Sequence, residues 1–188
     1  ADFLSLSAHK IGGLAGAGAL IVRGNTPLSP LIHGGGQERS RRAGTENLAG
    51  AAAFGAACAA IDSMESGRVR SVRDSFEGAL RGHGLDARIV GDDADRVGNT
   101  SCVVSPSGSA EMIVMGMDLA GVACSAGAAC SSGKVQPSRA LLAMGLSEQD
   151  VKSAVRFSFG WSSGTEDGIA AANAYAAIIR RAREQRAA

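Results

Sequence analysis

Clustered glycines constrain this chain more than any other feature of its sequence. The 188 residues include 26 glycines, many of them grouped, as at residues 12–18 and 34–36. Glycine clusters mark positions where the backbone turns tightly or approaches a ligand closely, so they predict sites built from loops between regular elements. Hydrophobic residues make up 45% of the chain, which is enough to bury a core and indicates a globular protein.

The charge balance and the cysteines narrow the functional classes. With 19 Lys and Arg against 18 Asp and Glu, the net charge of +1 gives no reason to expect nucleic acid or an anionic membrane as partner. No apolar run approaches the length of a membrane span. The four cysteines lack CxxC spacing, which favours reduced thiols, a cytoplasmic protein and no metal site.

The first part of the chain predicts two strands, a loop and a helix. Residues 2–7 alternate apolar and polar side chains, and a second strand is expected at 19–22 after the glycines. Residues 32–39 have no periodicity and predict an ordered loop. Thr45-Glu46-Asn47 precedes a long alanine-rich stretch to about Met64, which predicts a buried helix.

A domain boundary is expected near residues 62–67, which divides the chain into domains at 1–62 and 63–188. Beyond it the pattern alternates helical and extended segments, which indicates an α/β fold. Helices are predicted at about 69–80, 110–119, 137–144 and 165–183, and strands at 87–90, 101–104, 122–124 and 155–159. The missing initiator Met and the strand-like start suggest that the sequence is a piece of a longer protein.

Lys10 is the first candidate for chemistry. Only three of the 19 basic residues are lysine, and Lys10 alone ends a strand beside a hydroxyl (Ser7), an imidazole (His9) and glycines. A partly desolvated lysine there can form a Schiff base, while Ser7 and His9 can donate hydrogen bonds to an anion. From local spacing alone, an ordinary surface lysine at a strand end is the favoured alternative.

Cys130 is the second candidate. It lies in the small-residue segment 125–133, which is too flexible to pack as core and presents an accessible thiol suited to nucleophilic sulfur chemistry. Cys58 and Cys102 fall in a helix and a strand, where the role of a small hydrophobic residue is favoured. Cys124 is ambiguous, although packing is favoured at the end of a strand.

Arg156 is the third candidate, because a charge within the strand-like run 155–159 is costly unless it has a partner. Its planar guanidinium suits a carboxylate ligand held by two hydrogen bonds. A structural ion pair explains the residue equally well at this stage.

Three segments, taken in order, resemble the signature regions of cysteine desulfurases, pyridoxal-phosphate (PLP) enzymes of fold type I in the class V aminotransferase group. The first is SAHKIGG at 7–13, and the second comprises HGGGQER at 33–39 and RAGTEN at 42–47. The third is GAACSSG at 127–133, continuing through PSRAL at 137–141 to RFS at 156–158. Each segment alone is moderately specific, and their common order over nearly the whole chain is highly specific.

The resemblance implies a fold and a role for each candidate. Residues 1–62 would be the C-terminal part of the large PLP-binding domain, and 63–188 the small α/β C-terminal domain that carries the catalytic cysteine loop. The resemblance implies that Lys10 forms the Schiff base with PLP and that Ser7 and His9 bind its phosphate. Thr45 would reach the phosphate of the neighbouring subunit's cofactor. Cys130 would be the thiolate that accepts sulfur, and Arg156 would bind the substrate carboxylate.

Several positions depart from the family pattern. Leu14 and Ala15 stand where Pro-Lys is usual, and Ala43 and Ala128 stand where Ser is usual. None of these changes removes a proposed catalytic group. The family also has an N-terminal region that supplies a second phosphate loop, the His that stacks on the cofactor ring and the Asp that pairs with its pyridine nitrogen, so we expect the isolated chain to be inactive.

The implied activity is conversion of L-cysteine to L-alanine, with sulfur passing to an enzyme persulfide. The loop around Cys130 resembles the longer-loop class, in which the cysteine travels to hand sulfur to an acceptor such as an iron–sulfur scaffold protein. A homodimer is implied as well. Two alternatives stay open: a related class V enzyme, such as a selenocysteine lyase or aminotransferase, and a non-catalytic interaction or dimerisation module.

Overall fold

The computed structural model describes residues 1–61, 63–127 and 137–187. The chain forms two compact units, Ala1–Asp62 (unit 1) and Ser63–Ala188 (unit 2), and each is described by itself. In the described part of the chain, no helix combines the length and the apolar character needed to cross a membrane.

Unit 1 begins with an antiparallel hairpin of two strands. Strand β1, Phe3–Ser7, pairs with β2, Gly18–Val22, in a register that places Phe3 opposite Val22 and Ser7 opposite Gly18. A Cβ at Gly18 would lie 2.7 Å from the Leu6 carbonyl oxygen, so the close pairing of the strands requires glycine there.

A short 3-10 helix, Ala8–Ile11, follows β1 directly. Ala8 is fully buried, and its carbonyl oxygen accepts a hydrogen bond from the Gly13 amide at 2.9 Å. Gly12 ends the helix with φ +86°, a conformation that glycine adopts without steric cost. The clustered glycines therefore form a tight turn that returns the chain to β2.

The loop that follows β2 contains a short helical segment, Gln37–Ser40, with three consecutive positive φ angles at Glu38, Arg39 and Ser40. Non-glycine residues in this left-handed region are strained unless the surrounding structure fixes them. The Gln37 side chain provides one such contact, because its Oε1 accepts a hydrogen bond from the Gly44 amide at 3.2 Å. The loop predicted from the sequence is therefore ordered and contains this turn.

Helix α1, Leu48–Ala59, completes unit 1. Asn47 caps it, since the Asn47 Oδ1 accepts a hydrogen bond from the Gly50 amide at 3.0 Å. The prediction of a buried helix reaching about Met64 is wrong, because α1 ends at Ala59 and Gly50 is its only buried residue in this structure. Ala53, Phe54 and Ala57 are half-buried, and the remaining residues of the helix, Gly50 apart, are exposed.

Unit 2 contains a four-stranded antiparallel sheet in the order β3-β4-β6-β5. Alternation of side chains along β4 and β6 places Ser101, Val103, Val155 and Phe157 on a fully or almost fully buried face. The strands are β3 (Arg88–Ile89), β4 (Thr100–Val104), β5 (Ser125–Ala126) and β6 (Val155–Ser158).

The helices of unit 2 build its main core against the sheet. Helix α2 packs along α6, and the Phe76 ring of α2 lies 4.6 Å from the Phe157 ring of β6, centre to centre. Buried aromatic contacts of this kind dominate the packing energy of small cores. The helices are α2 (Ser63–Gly82), α3 (Ala110–Leu119), α4 (Arg139–Ala143), α5 (Glu148–Ser153) and α6 (Thr165–Ala187).

A Schellman motif ends α3 and leads into β5. The Val122 amide donates to the Met117 carbonyl at 2.9 Å, and the Gly121 amide donates to the Asp118 carbonyl at 2.9 Å. Gly121 has φ +75°, as this motif requires. The predicted strand at 122–124 is wrong for this reason: the helix cap uses the Val122 amide, and pairing with β6 begins at Ser125.

Candidate active site

Ser7, His9 and Lys10 lie within one turn of unit 1. Ser7 is the last residue of β1, and His9 and Lys10 belong to the 3-10 helix that follows. All three are exposed, whereas Ala8 between them is buried and anchors the turn. Among the described residues, no carboxylate pairs with Lys10.

Thr45 lies in the same unit, just before the Asn47 cap of α1, and is exposed. Helix α1 packs against the 3-10 helix that carries Lys10, and a Cβ at Gly50 would lie 3.1 Å from the Ala17 Cβ. Hydrogen bonds on both sides of Thr45, from the Gly44 amide to Gln37 Oε1 and from the Gly50 amide to Asn47 Oδ1, hold the backbone beside its exposed side chain.

Arg156 lies in strand β6 of unit 2 and is half-buried. Its Nη2 donates a hydrogen bond to the Ser125 Oγ at 3.1 Å. Its Nε is buried and has no hydrogen-bond partner among the described residues, and none of their carboxylates lies within salt-bridge distance. The structural ion pair considered for Arg156 is therefore not formed with any of the residues that the structure describes.

Two thiols flank this region, and both are free. Cys102 lies directly opposite Arg156 in the β4–β6 register. Burial raises the pKa of the Cys102 thiol, and the positive charge of Arg156 opposes that shift in part. Burial also raises the pKa of Cys124, which packs against the core as expected. Both shifts disfavour the reactive thiolate.

Cys130 lies outside the described residues, and its assignment as the sulfur-accepting thiol stays a prediction. Cys58 lies in α1 as predicted, but it is exposed and does not pack as a small hydrophobic residue. Ser125 was not among the candidates from the sequence. The only signal for it is the strand register, which the sequence alone does not specify for a strand of two residues.

Comparison with known proteins supports the interpretation of these segments. The family model for class-V aminotransferases matches residues 1–169. The chain belongs to the class-V aminotransferase family. The resemblance stated from the sequence is thereby confirmed, and enzymes of this family depend on PLP.

Individual relatives are cysteine desulfurases. A cysteine desulfurase of Cereibacter sphaeroides is 43% identical over 166 residues, covering 88% of this chain and 43% of the relative. One from Gluconacetobacter diazotrophicus is 41% identical over 187 residues, covering 97% of this chain and 46% of the relative. The chain therefore spans about half the length of the curated relatives it matches.

A solved structure shows the same fold. The crystal structure of a NifS-like protein from Rickettsia africae matches this class-V chain with a TM-score of 0.81 and 32% identity, over 94% of this chain and 47% of the other. This similarity confirms the predicted α/β fold of the type I PLP enzymes.

The donor groups of unit 1 fit PLP chemically. The exposed Lys10 amine has no carboxylate partner among the described residues and suits the cofactor aldehyde. The Ser7 hydroxyl and the His9 imidazole, on the same turn, suit a phosphate. Gly12 and Gly13 follow this turn directly and place no side chains next to Lys10.

Proposed function

We propose that this chain acts as the C-terminal half of a cysteine desulfurase, which converts L-cysteine to L-alanine and passes the sulfur to Cys130 as a persulfide. The observation that carries the proposal is the exposed amine of Lys10, which has no carboxylate partner among the described residues and lies on a turn that ends at Gly12. The similarity to curated cysteine desulfurases over 88% and 97% of the chain supports it.

Residues of unit 1 would hold the cofactor. Lys10 binds it covalently through Nζ, Ser7 and His9 hydrogen-bond its phosphate, and Thr45 reaches the phosphate in the neighbouring subunit of a homodimer. When bound, PLP supplies an electron sink for the bonds broken at the substrate carbon. Ala8 is buried and its carbonyl accepts a hydrogen bond from the Gly13 amide, which anchors the turn that carries Ser7, His9 and Lys10.

The remaining steps use side chains of this chain. Arg156 orients the substrate by binding its carboxylate, for which a guanidinium whose Nε has no hydrogen-bond partner among the described residues is well suited. Lys10 Nζ would move the proton at the substrate carbon. The Cys130 thiolate would attack the substrate sulfur, and the carbon–sulfur bond would break with its electron pair left on the substrate carbon, which takes up a proton to give L-alanine. The outer sulfur of the Cys130 persulfide would then pass to a thiolate of an acceptor such as an iron–sulfur scaffold protein, which returns Cys130 to its thiolate.

The cellular setting follows from the thiol chemistry. A persulfide carrier needs a reduced cysteine, and cytoplasmic thiols stay reduced. Cys58, Cys102 and Cys124 are free in the structure, which is compatible with that compartment. We therefore place the enzyme in the cytoplasm.

Trapping the cofactor tests the role of Lys10. The complete polypeptide, obtained by joining this chain to the N-terminal half of the Cereibacter sphaeroides relative, is loaded with PLP, reduced with borohydride and digested for peptide mass mapping. The adduct is expected on Lys10, to be lost in Lys10→Ala and to persist in the matched variant Lys152→Ala. An adduct that survives Lys10→Ala contradicts the proposal.

A pair of cysteine variants tests the sulfur step in the same polypeptide. Cys130→Ser is expected to abolish alanine release and persulfide formation while the PLP adduct on Lys10 persists, because a hydroxyl is a poor acceptor of sulfur. Cys124→Ser serves as the control and keeps both activities. The reverse result assigns the sulfur-accepting role to Cys124 instead. Alanine release from selenocysteine, assayed in parallel, distinguishes a selenocysteine lyase.

A further inference from the structure

The Arg156 guanidinium is held by a neutral group from the neighbouring strand. Its Nη2 donates to the Ser125 Oγ at 3.1 Å. We propose that Ser125 is a positioning residue, whose hydroxyl fixes the Arg156 guanidinium in the orientation that receives the substrate carboxylate. This inference rests on the proposed function for the role of Arg156.

The sheet register places the two side chains side by side. Ser125 of β5 lies directly opposite Arg156 of β6, and Cys102 of β4 lies opposite Arg156 on its other side. Side chains directly opposite each other in antiparallel strands share one face of the sheet and interact. The three residues therefore form one row across the sheet, with Arg156 in the middle.

A hydroxyl serves this purpose better than a carboxylate. A long arginine side chain samples many rotamers, and an anchored guanidinium has less freedom to lose when a ligand binds. An Asp or Glu at position 125 would also anchor it, but would neutralise the charge that a substrate carboxylate requires. Ser125 fixes the geometry and leaves the positive charge available, in keeping with the absence of a described carboxylate within salt-bridge distance.

The other neighbour in the row does not compete for the guanidinium. The Cys102 thiol has a pKa raised by burial and is uncharged at neutral pH. The backbone of Ser125 is fixed on both sides, by the Schellman motif at Gly121 and by the pairing of Ala126 with Val155. The hydroxyl is thus presented from a rigid position.

Guanidinium rotation in the 188-residue chain tests the contact directly. In ¹H–¹⁵N spectra of arginine side chains, the Arg156 signals, assigned with Arg156→Lys, are expected to show slow rotation in the parent chain. Ser125→Ala is expected to speed this rotation at least severalfold, whereas Ser125→Thr, which keeps the hydroxyl, restores slow rotation. Ser71→Ala is the matched control, because the Ser71 hydroxyl donates to the Gly67 carbonyl of its own helix.

Kinetics in the complete polypeptide tests the consequence for substrate. Ser125→Ala is expected to raise KM for L-cysteine by roughly tenfold, the effect of one hydrogen bond to a charged group. Its kcat is expected to change less than twofold, and Ser125→Thr is expected to restore KM. If Ser125 had only a structural role, Ser125→Ala would lower the amount of folded enzyme without raising KM at a nearly constant kcat.

The two measurements separate the possible failures. Unchanged rotation in Ser125→Ala overturns the positioning role, whatever the kinetics show. Faster rotation with an unchanged KM overturns the assignment of Arg156 to the substrate carboxylate and removes Ser125 from substrate binding. Faster rotation together with the raised KM supports both assignments.

Discussion

The two units of the chain differ in how many apolar side chains they bury. Unit 2 buries a continuous core in which Phe76, Ile113 and Tyr175 are inaccessible to solvent. In unit 1, Ala8 and Ala43 are the only buried hydrophobic side chains among the described residues, and β1 is exposed along its whole length. Unit 2 therefore supplies its own hydrophobic stabilisation, whereas unit 1 is ordered mainly by backbone hydrogen bonds, glycine turns and one helix cap.

The largest expected difference comes from removing an apolar side chain in each unit. Phe76→Ala should destabilise the chain by about 3–5 kcal/mol, because it leaves a cavity among Phe157 and Phe159. Leu4→Ala, at a side chain that is 53% exposed, should cost less than about 0.5 kcal/mol. Urea denaturation followed by circular dichroism measures both. Equal losses would show that unit 1 has a core of its own.

The next effect concerns glycines on the two long helices of unit 2. Gly168→Ala places a Cβ 2.6 Å from the Val72 carbonyl oxygen and should cost about 1–3 kcal/mol through overpacking. Gly78→Ala meets nothing within 4 Å and should stabilise α2 by up to about 1 kcal/mol, because alanine favours helix. Opposite changes in melting temperature confirm that α2 and α6 are in tight contact, and a stabilising Gly168→Ala contradicts it.

The rate of thiol labelling compares the accessibility of a cysteine in unit 1 with that of a cysteine in unit 2. Cys58 of unit 1 is exposed, whereas burial raises the pKa of Cys102 in unit 2 and lowers its thiolate fraction at pH 7. Cys58 should therefore react with iodoacetamide at least about tenfold faster, a ratio worth about 1.4 kcal/mol. Raising the pH should increase the Cys102 rate as its thiol ionises. Mass spectrometry of timed digests measures both rates, and comparable rates at pH 7 would mean that β4 opens readily.

The smallest effect is the loss of a helix cap. Asn47→Ala and Ser109→Ala each remove the side-chain acceptor at a helix start, worth about 1 kcal/mol. Helix α3 is held by the buried Ile113 and Met117 and should keep its structure, whereas α1 should fray because burial contributes little to it. Hydrogen exchange resolved by peptide distinguishes the two outcomes, and equal fraying would show that α3 depends on its cap as well.

Periodicity predicted most of unit 2 correctly. The spacing of Val69, Val72, Phe76 and Leu80 indicates the buried face of α2, and the predicted bounds of α3 match the structure. Helix α5 was not predicted, although Ser147 and Asp150 carry its capping signal: the Asp150 amide donates to the Ser147 Oγ at 3.1 Å. A short helix with few apolar positions has too weak a periodicity to be recognised in a sequence.

The sequence predicted the proximity of candidate site residues only where those residues are neighbours in the chain. Ser7, His9 and Lys10 are adjacent, so the sequence brings them together without any tertiary information. The hydrogen bond between Arg156 and Ser125 joins residues 31 positions apart and depends on the register of a strand of two residues. Burial of α1 was predicted wrongly because alanine content indicates close packing but does not say what covers the helix.

The number of residues in the short connection between α3 and β5 determines which side chain lies opposite Arg156. If one residue were inserted between Gly121 and Cys124, the strand would shift by one position, and Cys124 would stand opposite Arg156 in place of Ser125. A deletion would place Ala126 there, with no polar atom to offer. A protein engineer who transplants this segment must therefore preserve the number of residues as strictly as their identity, since the count alone decides whether a hydroxyl, a thiol or a methyl group meets the guanidinium.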